Sequence, residues 1–427
     1  MSGCMRSFLI VTVMSVMGVV GAQAQAREPE PAFPGQTEAP PPARASSEFN
    51  VDTIATGLDG AWSLAFLPDG NFLISQNVGT MRIITPEGVV SDPITGVPPV
   101  KSVAAQGLHD VVLDPDFEEN RLVYFTYFAP PKGEAAATWP IEHFYEEVWS
   151  LPLSVRRTRD MGTERLSRGR LSEDNRRLED VEILIDGGTE RRIVFAPDGT
   201  VYGIGADRFR FYDSDLDGVE RVFTDNPDLR RNFTGRVIRI NPDGSIPLGN
   251  PWLGRATVFP ETFAHGLKDP EGAALHPETG ELWVIDHGPQ GGDEINVIRA
   301  GRDYGWPEVS YGVQYDDRQL DGRTNVRVGS GEAHRADVQE PVYYWIPSIA
   351  PSGMMFYTGD LFPEWQGNLF VGAMVGQHLV RLVLDGERVV AEEQLLGDLG
   401  QRIREVQQGP DGAVYVFLGN SLLRLTP

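Results

Sequence analysis

Residues 63–76 read SLAFLPDGNFLISQ, two apolar segments joined by Pro68, Asp69 and Gly70. Proline fixes φ at the start of a turn, and glycine adopts the positive φ that many hairpin turns need. Alternating apolar residues on both sides of such a turn are typical of a β-hairpin. This stretch therefore predicts two antiparallel strands with a short connection.

The same pattern recurs along the chain, and many copies are followed by one more apolar strand. The five further copies begin at Asp110, Arg192, Gly272, Gly353 and Arg404. Two or three strands per unit, repeated six times, predict an all-β fold, a six-bladed β-propeller with insertions at the channel mouth. A pair of β-sandwiches is the alternative, but six similar hairpins favour radial repetition.

The chain divides into three predicted regions. Residues 1–26 have the pattern of a signal peptide, with Arg6 ahead of an apolar run too short to span a membrane. Residues 27–47 are rich in proline and alanine and predict a disordered spacer. Residues 48–427 form the predicted propeller domain. The only cysteine, Cys4, lies in the signal peptide, so we expect a mature protein without disulfides, periplasmic or secreted.

The charge of the chain restricts its partners. The formal net charge of −24 argues against nucleic acid and against anionic membrane surfaces. No segment of the mature sequence predicts a membrane span.

The segment IDHGPQGGDEIN, residues 285–296, places a glycine–proline turn beside two acids, Asp293 and Glu294. Either the turn needs these residues for its shape alone, or its carbonyl groups and the acids bind a cation.

Four segments resemble the soluble quinoprotein sugar dehydrogenases, the glucose/sorbosone dehydrogenase family. They are GLKDPEG from Gly266, DHGPQGGDEINVIRAGRDYGWP from Asp286, WIPSIAPSGMMFY from Trp345 and RIREVQQGPDG from Arg402. The resemblance covers nearly all of the chain after residue 50. It implies calcium, pyrroloquinoline quinone, oxidation of an aldose at C1 to a lactone, and a soluble electron acceptor.

The resemblance also implies roles for individual residues. The carbonyl groups of Gly288 and Pro289 would bind the calcium ion, in a turn supported by Asp293, Glu294 and Tyr304. The residues at cofactor positions would be Arg402, Arg404, Lys268, Asp269 and Asp207.

The chain departs from the family pattern at several of these positions. The place of the catalytic histidine is taken by Gly188, and that of a cofactor lysine by Val375. Lys268 stands where the family has arginine, and lysine lacks the bidentate fork of a guanidinium.

Other residues are therefore candidates for the catalytic base. We consider His109, Asp110 and His265, and a ring of His109, His265 and His287 would also suit a metal. Each histidine alone is more often structural.

The segment YDSDLDGVE spaces Asp213, Asp215 and Asp217 like a calcium loop. Thr224 at the twelfth position excludes an EF-hand, and a solvated acidic loop is the alternative.

The departures leave a second function open. It is a quinone-free, cation-dependent hydrolase, lyase or isomerase acting on a sugar or lactone on the same scaffold. A non-catalytic binding propeller ranks third, because arginines that face a polar mouth would then lack an anionic ligand.

Overall fold

The computed structural model describes residues 29–103, 106–131, 137–139, 163–188, 190–206, 235–255, 258–314 and 327–427. The predicted signal peptide lies outside these residues. So do four candidate site residues, Asp207, Asp213, Asp215 and Asp217.

Six antiparallel sheets form a six-bladed β-propeller, which confirms the predicted fold. Blade 1 contains β2 (Ala61–Phe66), β3 (Phe72–Gln76) and β4 (Thr80–Ile84). Blade 2 contains β6 (Leu108–Leu113), β7 (Leu122–Ala129), β9 (Thr163–Leu171) and β10 (Leu178–Gly188). Blade 3 contains β11 (Glu190–Phe195), β12 (Val201–Gly205), β13 (Arg236–Ile240) and β14 (Thr262–His265).

The second half of the ring repeats this order. Blade 4 contains β15 (Pro270–Leu275), β16 (Leu282–Asp286), β17 (Asp293–Ile298) and β18 (Tyr343–Trp345). Blade 5 contains β19 (Pro351–Phe356), β20 (Leu369–Ala373), β21 (His378–Asp385) and β22 (Arg388–Leu395). Blade 6 contains β23 (Ile403–Gln408), β24 (Val414–Leu418) and β25 (Ser421–Thr426), and its outer strand is β1 (Asn50–Ala55).

The remaining elements are short. A parallel pair joins β5 (Lys101–Val103) to β8 (Ala137–Trp139). The helical elements in the described ranges are α1 (Phe117–Asn120) and two 3-10 turns, Pro363–Trp365 and Gly397–Leu399. Among these same residues, no helix has the length and apolar character needed to cross a membrane.

The core lies between the blades. Middle strands such as β3, β16 and β20 are buried along their whole length because a neighbouring blade covers each face. This burial accounts for nearly continuous apolar runs such as LWVID and LFVGA. The Pro-Asp-Gly turns form as predicted, with φ of +85° at Gly70 and +82° at Gly199.

Every inner strand carries a register shift near its first residues. The shifts lie between Ala61/Ser63, Leu108/Val111, Glu190/Arg192, Pro270/Gly272, Pro351/Met354 and Ile403/Glu405. A bulge of this kind interrupts the alternation of side chains between the two faces of a strand. It therefore changes which residues face the channel.

The segment predicted to be a disordered spacer lies along the outer edges of blades 4 and 5. Ala39 N donates a hydrogen bond to the Tyr343 hydroxyl, 2.9 Å, and Ser46 Oγ donates to Glu393, 2.7 Å. Trp365 Nε1 donates in turn to Ser46 Oγ, 2.8 Å. The prediction of disorder is wrong for residues 29–47. Polar groups of this segment, which the composition suggests are solvated, form hydrogen bonds with side chains of the blades instead.

Candidate active site at the propeller mouth

A buried layer of charges crosses the propeller axis. Arg192 on blade 3 reaches Glu405 on the opposite blade, with Nη1 2.5 Å from Oε2, and lies 3.4 Å from Asp110 Oδ1. Ser63 Oγ also donates to Asp110 Oδ1, 2.6 Å. A Cβ at Gly353 would lie 2.4 Å from Glu405 Oε1, so glycine gives this carboxylate its space. Burial raises the pKa of Glu405, and the charge of Arg192 opposes that shift.

Trp62 lies next to this layer. Its ring is 4.1 Å from the Arg192 guanidinium carbon and 5.9 Å from that of Arg404. The His109 ring packs beside it at 5.1 Å and has no exposed surface. His109 and Asp110 were predicted to act as catalytic groups, but both are buried, and Asp110 belongs to the charge layer. The inner strand that carries both residues is buried at this point, which is why neither side chain reaches the channel mouth as the prediction required.

A second ionic cluster surrounds Arg191, which is 1% exposed. Arg191 Nη2 is 2.9 Å from Asp269 Oδ1, and its Nη1 contacts Glu271. Arg404 Nη1 binds the other Glu271 oxygen at 3.0 Å. The cluster therefore links two residues predicted at cofactor positions, Asp269 and Arg404, through two residues that the sequence reasoning missed.

His287 borders this cluster, with Nδ1 3.9 Å from Asp269 Oδ2. Its Nε2 contacts the carbonyl of Pro351, which only accepts, so the proton lies on Nε2. Burial lowers the pKa of His287, against the opposing charges of Asp293 and Asp269.

His265 lies elsewhere. It ends the outer strand of blade 3, near Asp303 and Trp252. Three strand spacings of about 4.8 Å separate an outer strand from an inner one. The predicted ring of His109, His265 and His287 is therefore wrong, because His265 sits at the far edge of its blade.

The glycine–proline turn is built by close backbone contacts. A Cβ at Gly288 would lie 2.0 Å from the Gly291 carbonyl oxygen, and Gly292 has a φ of +73°. Asp293 fastens the turn: Oδ1 accepts from Gly288 N at 2.9 Å, and Oδ2 accepts from Ser348 Oγ at 2.7 Å. Only glycine permits this packing, so the sequence of the turn follows from its shape.

Beside the turn is a small cavity. Its lining includes Gly266, Lys268, Asp286, His287, Gly288, Gly292, Glu294, Tyr304, Trp306, Val309 and Ser310. The Tyr304 hydroxyl donates to the Val297 carbonyl, 2.7 Å, and thereby fixes the ring in the wall.

Two acids of the cavity stand directly opposite each other, Asp286 on β16 and Glu294 on β17. Asp286 accepts from the backbone N–H groups of Lys268 and Asp269 at 2.7 and 2.6 Å. Burial raises the pKa of Asp286 to about 7. Desolvation and the charge of Asp286 also raise the pKa of Glu294. Carboxylate, carbonyl and hydroxyl oxygens are the ligands that a hard cation prefers.

The other basic side chains predicted at cofactor positions differ in their surroundings. Arg402 is exposed, and its Nη2 lies 3.5 Å from Met374 Sδ. Lys268 is buried, with Nζ 5.9 Å from the centre of the Trp306 ring. Val375, at the position of the family lysine, is 62% exposed.

The site residues that the sequence reasoning missed include Trp62, Arg191, Arg192, Glu271, Asp286 and Glu405. One signal was present: Arg191 and Arg192 are adjacent at the start of an inner strand, where alternation alone would send one of them away from the channel. The bulge at this point permits both to be buried.

Comparison with known proteins bears on the family. The glucose/sorbosone dehydrogenase family matches residues 58–425. The aldose sugar dehydrogenase YliI of Escherichia coli is 31% identical over 399 residues, which cover 90% of this chain and 94% of that protein. Quinoprotein glucose dehydrogenase B of Acinetobacter calcoaceticus is 26% identical, over 88% of this chain and 86% of its own. The apo structure of the E. coli enzyme superposes with a TM-score of 0.72 at 29% identity, covering 89% of this chain and all of that one. The chain belongs to the glucose/sorbosone dehydrogenase family, the soluble quinone-dependent sugar dehydrogenases.

Proposed function

We propose that the protein is a periplasmic or secreted quinoprotein sugar dehydrogenase that oxidises an aldose at C1 to a lactone. Its family is named for sugar dehydrogenases, and two relatives are named as aldose sugar and glucose dehydrogenases. The observation that carries the proposal is the cavity in which Gly288 and Gly292 of the glycine–proline turn lie beside the acid pair Asp286 and Glu294.

These residues suit a calcium ion. Two opposed carboxyl groups in a desolvated cavity are unfavourable while both are ionised, and a cation offsets that cost. Gly288 and Pro289 would supply carbonyl oxygens, and Glu294 would supply negative charge nearby. Asp293 would hold the turn in shape, since its two oxygens are already hydrogen bonded.

Cations at the mouth suit a quinone cofactor that carries carboxylates. Arg402 is exposed, and Arg404 projects beside Trp62. Guanidinium groups bind carboxylates through charge-assisted hydrogen bonds. When bound, pyrroloquinoline quinone would supply a two-electron acceptor for the sugar, and a soluble acceptor would then reoxidise it.

Asp269 is our candidate for the proton acceptor. Its side chain is 23% exposed, whereas the side chains of Asp110 and Glu271 are only 4% and 6% exposed. Arg191 fixes Oδ1 and leaves Oδ2 toward His287. General bases contribute about 10²–10⁴ in rate, so Asp269→Asn should lower kcat by about that factor. Calcium affinity should stay within a few-fold of wild type.

One observation favours the alternative of a quinone-free, cation-dependent hydrolase, lyase or isomerase. Ligand atoms of Asp269, Glu271 and His287 lie within 4.8 Å of one another, a grouping that suits a metal. Arg191 already binds two of the three, and a cation there would have to displace it.

The deciding experiment titrates metal-stripped protein with pyrroloquinoline quinone and calcium, then adds aldoses and a dye acceptor. Calcium-dependent quinone binding with sugar-dependent dye reduction is the expected result. Calcium binding without quinone binding would overturn the proposal and support the alternative.

A further inference from the structure

A buried glutamine anchors the N-terminal segment to blade 4. Gln36 has no exposed surface, and its Nε2 donates to the Pro341 carbonyl at 2.8 Å. Its backbone carbonyl accepts from Tyr344 N at 2.9 Å. Its Oε1 accepts from Ala32 N at 2.7 Å and lies 3.1 Å from the Tyr311 hydroxyl.

Tyr311 is held from several sides. Its hydroxyl donates to Glu340 Oε2 at 2.7 Å. Its ring stacks on that of Tyr344, with centroids 4.1 Å apart and planes 19° from parallel. The side chain is 1% exposed, and Gln36 is one of the residues in contact with it.

The residues after Tyr311 pack directly against the glycine–proline turn. A Cβ at Gly312 would lie 2.2 Å from the Gly291 carbonyl oxygen and 2.7 Å from Pro289 Cδ. Two backbone hydrogen bonds join Val313 to Gln290, at 3.1 and 3.3 Å. Displacement of Tyr311 would therefore be passed to the turn without an intervening flexible side chain.

We propose that Gln36 is a positioning residue for the cation site, acting through Tyr311 and Gly312 on the Gly288–Gly292 turn. The N-terminal segment is on this view part of the site's supporting structure. The inference rests on the proposed calcium site, and it adds a contribution from residues far from the mouth in sequence.

The test compares Gln36→Ala with Ser46→Ala in metal-stripped protein. Ser46 anchors the same segment, but to Glu393 and Trp365 on blade 5. Groups that orient metal ligands typically cost 10- to 100-fold in affinity when removed. We expect Gln36→Ala to weaken calcium binding about tenfold by calorimetry, and Ser46→Ala to stay within about twofold. Tyr311→Phe, which keeps the ring, should give an intermediate loss and serves if Gln36→Ala does not fold.

Hydrogen exchange of the turn amides supplies a readout that needs no metal. Protection of the hydrogen-bonded amides of Gln290 and Gly292 should fall in Gln36→Ala and not in Ser46→Ala. Unchanged calcium affinity and unchanged exchange in Gln36→Ala would overturn the inference. Absence of calcium binding by the wild-type protein would instead remove the proposed cation site, while exchange still decides whether Gln36 positions the turn.

Discussion

The axis and the mouth of this propeller both bring two acids together, but the cationic groups around the two acid pairs differ. On the axis, the Arg192 guanidinium forms ion pairs with both Asp110 and Glu405, so each acid has a cationic partner within the protein. At the mouth, Asp286 and Glu294 face each other beside a cavity, no arginine of the described residues pairs with either, and the charge of Lys268 acts on Asp286. Direct ion pairing to a guanidinium suits a structural layer, whereas an acid pair that borders a cavity suits a site that receives a cation from outside.

The largest expected effect comes from breaking the axial layer. Arg192→Met leaves two buried carboxylates without their counter-charge, which should lower the free energy of unfolding by about 3–5 kcal/mol. Urea denaturation measures this loss. Adding Glu405→Gln should restore part of the lost free energy of unfolding. A cost below about 1 kcal/mol for Arg192→Met would show that the charge layer does not stabilise the centre of the propeller.

The turn should respond to a single methyl group. A Cβ at Gly292 would meet Gly312 N at 2.3 Å in a left-handed conformation, so Gly292→Ala should cost about 2–4 kcal/mol and abolish calcium binding. Gly199→Ala is the matched control, because its φ is +82° and nothing lies within 4 Å. It should cost about 1–2 kcal/mol and keep calcium binding. Equal calcium affinity in the two variants would contradict the role of the turn.

Arg402 separates cofactor binding from cation binding. Its removal should weaken quinone binding by about 1.5–3 kcal/mol, the usual value of a hydrogen bond to a charged group. Absorbance titration of Arg402→Ala with pyrroloquinoline quinone measures the change. Arg388→Ala, an exposed arginine on the outer strand β22, should bind the quinone like wild type. A normal titration curve for Arg402→Ala would place the quinone elsewhere.

The last effect, and the smallest over a single pH unit, is a pH dependence of the stability of the metal-free protein. Asp286 has a folded-state pKa of about 7, above its unfolded value near 4, so the folded state binds more protons between these limits. Stability should therefore fall as pH rises through this window, by at most about 1.4 kcal/mol per pH unit for this group. Asp286→Asn should reduce the slope measured by urea unfolding at pH 4.5, 5.5 and 6.5. Parallel profiles for both proteins would contradict the assignment.

The parts of the molecule differ in how far the sequence predicts them. Repeated hairpins predict the ring of blades because each turn is determined locally. The glycine–proline turn is local only in part: contacts within the turn require glycine at Gly288, whereas contacts with residues 311 and 312 require it at Gly292. The axial layer was missed because bulges at the inner strands decide which side chains face the channel. His109 shows the same limit, since its burial depends on Trp62 from another blade.

The N-terminal segment was missed for a different reason. Its polar groups find partners on outer strands hundreds of residues away, such as Tyr343 and Glu393. The composition of a segment contains no information about the protein surface against which the segment packs.

The pairing of β1 with β25 has a consequence for how the chain reaches this state. The outer strand of blade 6 comes from residues 50–55 and its neighbour from residues 421–426, so the ring closes by contacts between the two ends of the domain. Such non-local pairing slows folding, because loop closure precedes any gain from the contact. Until the C-terminal strands pair, β1 has no partner strand and the first and fifth blades each have an uncovered face. Open strand edges of this kind pair readily with other chains. The pairing of the C-terminal strands is thus the step at which β1 and the uncovered blade faces gain their partners.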